Sequence, residues 1–331
     1  MPPLCGHGAP TLPGFIVCGI VLNRTIKRKL HCETVSLQKN TLGMRNMHTA
    51  LAAWTSQASH LVGECFDAAT PMLDANFAGL PPLTRFVCAQ LFIDCNLSTE
   101  SVLLLNRAEK EWDADLVARS VMEGSLKFTY MLHGSPQEME QKANEYWNVL
   151  PLFYRIRHSE NVKKMLEHLP DPNAKEWRPL QDLLLDDSEL AAIRSRYSRG
   201  DRQALEERWS FVGLCRSFAS SDNCGLKALV GLSHGYGMSS HLLHKDADGV
   251  GMVWERYGRS PGRQLAVRMG HSARIVSDVC SYAKLRLSCL LEATGASTGA
   301  LLEIDSKYKQ LDAALTAAIT KFNDVEYEPM A

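Results

Sequence analysis

Five polar residues in two apolar segments are the candidates for chemistry in this chain. Tyr236, Ser240 and His244 are spaced four residues apart, so on a helix they lie along one face. Arg119 and Glu123 have the same spacing in a second apolar segment. Polar side chains on the inward face of a helix are costly to bury without partners. The pattern therefore predicts that the two helices meet and that their polar residues form one site.

These residue types suit acid–base chemistry on an anionic ligand. His244 is the candidate general base, because an unperturbed imidazole titrates close to neutral pH. Ser240 and Tyr236 are the other candidate catalytic groups on its helix, and Glu123 would orient the imidazole or pair with its charge. The planar guanidinium of Arg119 is the candidate ligand for a phosphate or carboxylate. The same residues also suit a structural network that only holds helices in register, and both interpretations stay open.

Helical periodicity dominates the chain from Met47 onward and predicts an all-α, multi-helix bundle. The helix of Arg119 is expected at roughly 109–132. Residues 246–262 contain four glycines and a proline, so a glycine-rich loop is expected between the Tyr236 helix and the C-terminal part. Two long helices, about 263–293 and 301–322, should follow. Residues 323–331 are expected to be a frayed tail.

Small residues accompany the tyrosine. Gly231, Gly235 and Ser239 are four residues apart, and each glycine costs roughly 1 kcal/mol relative to alanine inside a helix. A face without side chains would let another helix approach closely. We therefore expect this face to draw in the helix of Arg119, although simple tight packing is an equally good explanation.

The N-terminal 43 residues differ from the rest. Their apolar run is about half as long as the ~20 residues that a membrane span needs, and basic residues follow it instead of preceding it as in a secretory signal. We expect a disordered leader at 1–43, with native translation starting at Met44 or Met47. A single helical domain is expected at 44–322, with the polar residues 171–178 as its one candidate internal boundary.

Composition limits the class of protein. The 331 residues include 36 Lys and Arg and 37 Asp and Glu, for a net charge of -1, which does not favour a dedicated nucleic-acid-binding protein. Ten scattered cysteines without a CxxC pair indicate reduced thiols in a cytoplasmic protein. Two basic clusters nevertheless offer candidate contacts to nucleic acid or phosphate. They consist of Arg155, Arg157, Lys163 and Lys164, and of Arg256, Arg259, Arg263 and Arg268.

Familiar catalytic and cofactor motifs do not occur. The sequence contains no Walker-type loop, GxGxxG or GxSxG, so no cofactor is predicted. His241, His244 and the two nearby aspartates lack the HExxH pattern, and no metal site is predicted from them. The Arg-to-His spacing typical of helical ribonucleases of the HEPN type has its only approximate fit at Arg24 and His31, inside the leader.

The order and spacing of the polar residues resemble those of the bacterial family catalogued as domain of unknown function 5677. The motifs that carry this resemblance are Arg119-Ser-Val-Met-Glu123, then Trp209, then Tyr236-x-x-x-Ser240-x-x-x-His244. The resemblance covers roughly residues 50–290 and implies a mostly helical intracellular bacterial protein with these positions as its signature. It also associates the chain with toxin and phage-defence proteins. Gly235 and Gly237, which flank the tyrosine, depart from a secure continuous helix.

Two functions are compatible with these patterns. The first is a hydrolytic or nucleic-acid-directed effector that acts on nucleic acid or a phosphate-bearing ligand, with His244 as base and Arg119 as anion anchor. The alternative is a non-enzymatic interaction or regulatory protein, with a structural polar cluster and an apolar or homo-oligomer surface elsewhere, on the C-terminal helices. No membrane association is predicted. The residues do not decide whether the protein is an enzyme, nor which ligand or partner it has.

Overall fold

The computed structural model describes the backbone of residues 26–327 and the side chains of residues 45–327, except those at five positions. Those positions are Ser233, His234, Gly235, Met238 and Ser239. Throughout the described range the elements are helices and no strand occurs, which confirms the predicted all-α class. By its contacts the chain divides into residues 1–43 and 44–331, so the candidate boundary at 171–178 lies inside the second unit.

The helices follow one another with short connections. Their bounds are α1 Ile26–Leu73, α2 Pro82–Arg107, α3 Glu111–Leu132, α4 Pro136–Asn144, α5 Leu150–Leu166, α6 Arg178–Gln181, α7 Asp187–Arg196, α8 Arg199–Arg208, α9 Phe211–Ala219, α10 Cys224–Ala228, α11 Ser233–His244, α12 Ala247–Tyr257, α13 Pro261–Thr294, α14 Gly299–Lys307 and α15 Lys309–Glu326. A π-helical turn (Glu145–Val149) precedes α5, and 3₁₀ turns occupy Lys175–Trp177 and Leu229–Leu232. Of the predicted leader, residues 1–25 lie outside the described residues, and the backbone of residues 26–43 belongs to α1. None of the described helices is both long and apolar enough to cross a membrane.

Helix α3 lies at the centre of the second unit, packed against α2 and α13. Contacts between α3 and α13 progress in the same direction along both helices, from Glu111 with Arg268 to Ser125 with Arg286. The two helices are therefore parallel. Helix α15 also packs along α13, where Phe322 lies so close to Gly270 that a Cβ atom there would collide with it. This arrangement brings the middle of α3 and the first half of α13 together beside α15.

The glycine-rich loop predicted at 246–262 is wrong, because most of it is the helix α12. Asp246 begins this helix by accepting a hydrogen bond from the backbone nitrogen of Gly249 at 2.9 Å. Gly249 itself lies against the backbone of His241, where a Cβ atom would not fit. The glycine thus serves a close approach of α11 and α12 and does not form a turn.

Two further expectations need correction. The last predicted helix is broken at Tyr308 into α14 and α15, and α15 runs into the predicted tail as far as Glu326. The Glu326 carboxylate binds the guanidinium groups of Arg259 at 2.5 Å and Arg263 at 3.1 Å, which holds the end of α15 in place. Gly231 lies in a 3₁₀ turn before α11, and a side chain there would meet open space, so it does not mark a close helix contact.

Candidate functional site

Helices α3 and α11 meet at Arg119 and Tyr236. Arg119 Nη2 donates a hydrogen bond to the Tyr236 hydroxyl at 2.5 Å, and Arg119 Nε donates one to Glu123 at 3.2 Å. The guanidinium carbon also lies 3.9 Å from the centre of the Tyr236 ring. Phe211 stacks on the same tyrosine, with ring centres 3.7 Å apart and planes 4° apart. The sequence pattern thus located a real contact between the two polar helices.

The remaining members of the Tyr236 series extend away from this contact. A helix rises about 1.5 Å per residue, so His244 lies about 12 Å along the axis from Tyr236. His244 is the last residue of α11 and is exposed, and Ser240 is partly buried between them. Among the described residues no hydrogen bond or ion pair joins His244 to Glu123. The structure therefore brings Arg119, Glu123 and Tyr236 together but does not pair His244 with Glu123.

Trp209, the other residue of the family-like pattern, belongs to a different contact. Its indole nitrogen donates to the buried carboxylate of Glu145 at 3.1 Å, and Arg208 binds the same carboxylate at 2.9 Å. The rings of Tyr130 and Tyr146 pack on the indole with centres 5.1 and 5.2 Å away. This cluster holds the connection between α8 and α9 against α3 and the π-helical turn and adds no group to the Arg119 contact.

His241, Asp246 and Asp248 are brought together where α11 meets α12. His241 Nδ1 lies 2.7 Å from Asp246 Oδ2, and Asp248 offers a third ligand atom within 4.8 Å of these two. Its hydrogen bond with Asp246 raises the pKa of His241 above its ordinary value. Asp246 also caps α12. The cap and the His–Asp pair are sufficient to explain this exposed geometry.

A cavity of about 440 Å³ opens beside the Arg119 contact, among α3, α11, α12, α13 and α15. We call it the arginine cavity, because Arg119, Arg256 and Arg274 line it. Four more polar or ionisable groups of α13 and α3 belong to its wall, and sequence reasoning missed them. They are Asp115, His271, Asp278 and Tyr282. On α13 the spacing 271, 274, 278 and 282 follows one helical face, so the signal was the same as the one that identified Tyr236, Ser240 and His244.

Arg274 links two carboxylates across this wall. Its Nη2 lies 2.7 Å from Asp115 on α3, and its Nη1 lies 2.8 Å from Asp278 one turn along α13. Burial raises the pKa of Asp278 from its ordinary 3.8 to about 6, and Arg274 offsets only part of this increase. A carboxyl group that titrates near pH 6 can hold or release a proton under physiological conditions. Asp278 is therefore the group on this wall best suited to proton transfer.

His271 is uncharged on the same wall. Burial, with the nearby positive charge of Arg274, lowers the pKa of this imidazole from its ordinary 6.5 to about 3. Its Nε2 is 3.8 Å from Asp115, too far for a hydrogen bond, and has no hydrogen-bond partner in the described part of the chain. The ring packs on Trp112 with centres 4.6 Å apart. His271 thus contributes a neutral ring and an unused nitrogen to the site.

Arg256 differs from the other arginines of its predicted basic cluster. Arg259 and Arg263 bind Glu326. Arg268 binds the carboxylates of Glu109 and Glu111. Arg256 forms no ion pair within the described part of the chain, and its guanidinium lies over the Trp112 ring at 4.6 Å. Among the residues that the structure describes, neither its Nη1 nor the Nη1 of Arg119 has a hydrogen-bond partner, and both atoms are buried.

Two residues of the first basic cluster are ion-paired as well, whereas Lys163 and Lys164 are exposed. Arg155 binds Glu189 at 3.1 Å, and Arg157 binds Glu206 at 2.6 Å, so acidic residues of α7 and α8 cover these positive charges of α5.

No family model matches this chain, and neither a curated protein nor a solved structure matches it.

Proposed function

We propose that this protein binds a small anionic ligand in the arginine cavity, with the phosphate or carboxylate group of the ligand held by Arg119 and Arg256. The observation that carries the proposal is the pair of buried guanidinium nitrogens that have no hydrogen-bond acceptor among the described residues. Leaving a buried donor unmet costs about 1–3 kcal/mol, and more for a charged group. An anionic oxygen in the cavity supplies the missing acceptors and forms the stronger, charge-assisted type of hydrogen bond.

Ion pairing supports a small ligand over a nucleic acid. Five arginines of the two predicted basic clusters are bound to carboxylates, namely Arg155, Arg157, Arg259, Arg263 and Arg268. Nucleic-acid affinity depends on the number of free positive charges that reach phosphates. Arg256 instead lines the arginine cavity, whose volume of about 440 Å³ is within the ~300–1,000 Å³ common for small-molecule sites.

A hydrolytic role, as predicted from the sequence, would use Asp278 as its acid–base group. Asp278 lines the cavity and its pKa is raised to about 6, whereas His244 is absent from the cavity wall. Arg119 keeps the role of anion anchor that the sequence predicted.

Isothermal titration with inorganic phosphate tests the binding proposal. Arg256→Ala should weaken phosphate binding by at least tenfold, because a hydrogen bond to a charged group contributes about 1.5–3 kcal/mol. Arg155→Ala is the matched control, since it removes an exposed, ion-paired arginine far along the chain. Equal binding by wild type and Arg256→Ala, or equal weakening by both variants, would contradict the proposal.

The alternative of an interaction protein is favoured by one surface. On the outer side of α12 the side chains of Val250, Trp254 and Tyr257 are 54%, 79% and 74% exposed. Exposed apolar groups of this size commonly mark interfaces, although here they lie on α12 and not on the predicted C-terminal helices. Sedimentation equilibrium of wild type and Trp254→Ser tests whether this face joins two copies of the chain: a wild-type dimer that dissociates in the variant would support it, and two monomers would remove it.

A further inference from the structure

Beyond its charged groups, the wall of the arginine cavity is apolar on several sides. Helices α3, α11, α12 and α15 and the 3₁₀ turn before α11 all contribute aliphatic, thioether or aromatic side chains to it. Those that matter here are Met122, Leu232, Leu242, Met252, Ile319 and Phe322. A bare inorganic anion at Arg119 and Arg256 would leave the part of the cavity beside these side chains unfilled.

The charged and apolar groups together specify the kind of ligand. Asp115 and Asp278 already occupy the two terminal nitrogens of Arg274, so Arg119 and Arg256 are the arginines with donors left for a head group. Two wall residues are methionines, Met122 and Met252. Methionine is unbranched and adapts its shape to a flexible partner better than branched or aromatic residues do.

We infer that the ligand is an amphiphile, with one anionic head group bound by Arg119 and Arg256 and an unbranched aliphatic chain buried among the apolar residues of the cavity. This inference rests on the proposed anion site and adds the second half of the ligand. Burying a methylene group contributes about 0.8 kcal/mol, which corresponds to about fourfold in affinity. A chain of a few carbons is therefore sufficient to convert weak phosphate binding into specific binding.

A homologous series measures both halves of the ligand separately. Isothermal titration would compare inorganic phosphate with butyl, hexyl and octyl phosphate, all below their micelle-forming concentrations. Butanoate, hexanoate and octanoate form a parallel series that distinguishes a phosphate from a carboxylate head group. We expect affinity to rise about fourfold per methylene until the cavity is filled. Arg256→Ala should weaken every member of the preferred series by a similar factor.

Two glycines allow matched variants that test where the aliphatic chain of the ligand binds. Gly231 lines the arginine cavity, and a side chain there would meet open space. Gly231→Leu should therefore narrow the cavity and weaken octyl phosphate more than inorganic phosphate. Gly237 has the same open surroundings but does not line the cavity, so Gly237→Leu should leave the whole series unchanged. Circular dichroism of both variants verifies that they remain folded.

The outcomes separate this inference from the proposed function. If phosphate binding depends on Arg256 but affinity does not rise with chain length, the inference of an amphiphilic ligand is wrong and the proposed anion site is retained. If affinity rises with the length of the aliphatic chain but is unchanged in Arg256→Ala, the anion site is refuted and, with it, the assignment of the head group. Absence of binding by every compound would overturn both.

Discussion

The buried imidazole of His271 should make the protein sensitive to acid. The pKa of this group is about 3 in the folded protein and 6.5 when it is unperturbed, so the unfolded chain binds the proton more tightly. Stability is therefore full above pH 6.5, begins to fall below that value and continues to fall towards pH 3. The gap between the two pKa values corresponds to an upper bound on the order of 5 kcal/mol, which is comparable with the total stability of many domains.

Asp278 opposes this loss over part of the same range. Its pKa is about 6 in the folded protein against an ordinary 3.8, so the folded state takes up the proton first and gains stability as pH falls from 6 towards 4. The gain is on the order of 3 kcal/mol at most. The two effects partly cancel between pH 6 and 4, and the net loss should become steep only below pH 4.

Urea denaturation followed by circular dichroism between pH 7 and 3.5 measures this balance. His271→Phe keeps a ring against Trp112 and should flatten the acid loss, whereas Asp278→Asn should steepen the loss from pH 6 downward. His158→Gln, at an exposed histidine, is the control and should follow the wild-type curve. If wild type and His271→Phe lose stability in parallel as the pH falls, the argument for a neutral buried His271 fails.

Further variants test single contacts, each by its effect on the unfolding free energy. Tyr236→Phe removes the hydroxyl that accepts from Arg119 while keeping the stacked ring, and should cost about 1–2 kcal/mol in a urea titration. Gly249→Ala should lower the melting temperature, at a cost of about 1–3 kcal/mol, because its Cβ meets the α11 backbone; Gly237→Ala, which has open surroundings, should leave the melting temperature unchanged or raise it. Arg286→Met should be neutral or stabilising, since this fully buried guanidinium has no carboxylate partner among the described residues and keeps two unpartnered nitrogens. A marked destabilisation by Arg286→Met would refute that account.

The helices were predictable because their apolar periodicity is local, whereas the glycines of α12 were misinterpreted. Glycine in a polar stretch commonly marks a turn. Gly249 is required for another reason: the backbone of His241, eight residues earlier and on another helix, lies too close for a Cβ atom. No property of residues 246–262 alone shows that approach. Similarly, the end of α15 is held by arginines more than sixty residues away in sequence, so a composition-based rule placed the frayed tail too early.

The candidate site was predictable where burial made polar residues conspicuous. Arg119 and Tyr236 occupy otherwise apolar faces, and their contact follows from the cost of burying unpaired groups. The polar face of α13 has the same spacing, but charged residues recur along the whole of α13, from Arg263 to Glu292, which masked the signal. Arg256 could not be distinguished from Arg259 or Arg263 by sequence, because only the position of Glu326 in space decides which of the three is paired.

The contrast between Arg286 and the cavity arginines bears on whether the polar network is only structural. Arg286 is completely buried, donates to Ser125 at 2.6 Å and lies over Phe92, so its unmet nitrogens face packed core. Arg119 and Arg256 each have an unmet nitrogen among the described residues as well, but these two residues line an open cavity. A network that served only to hold α3 and α13 together would need no cavity beside it, since Arg274 already joins these helices through Asp115. The open volume beside unmet positive donors is what favours a ligand over a purely structural role.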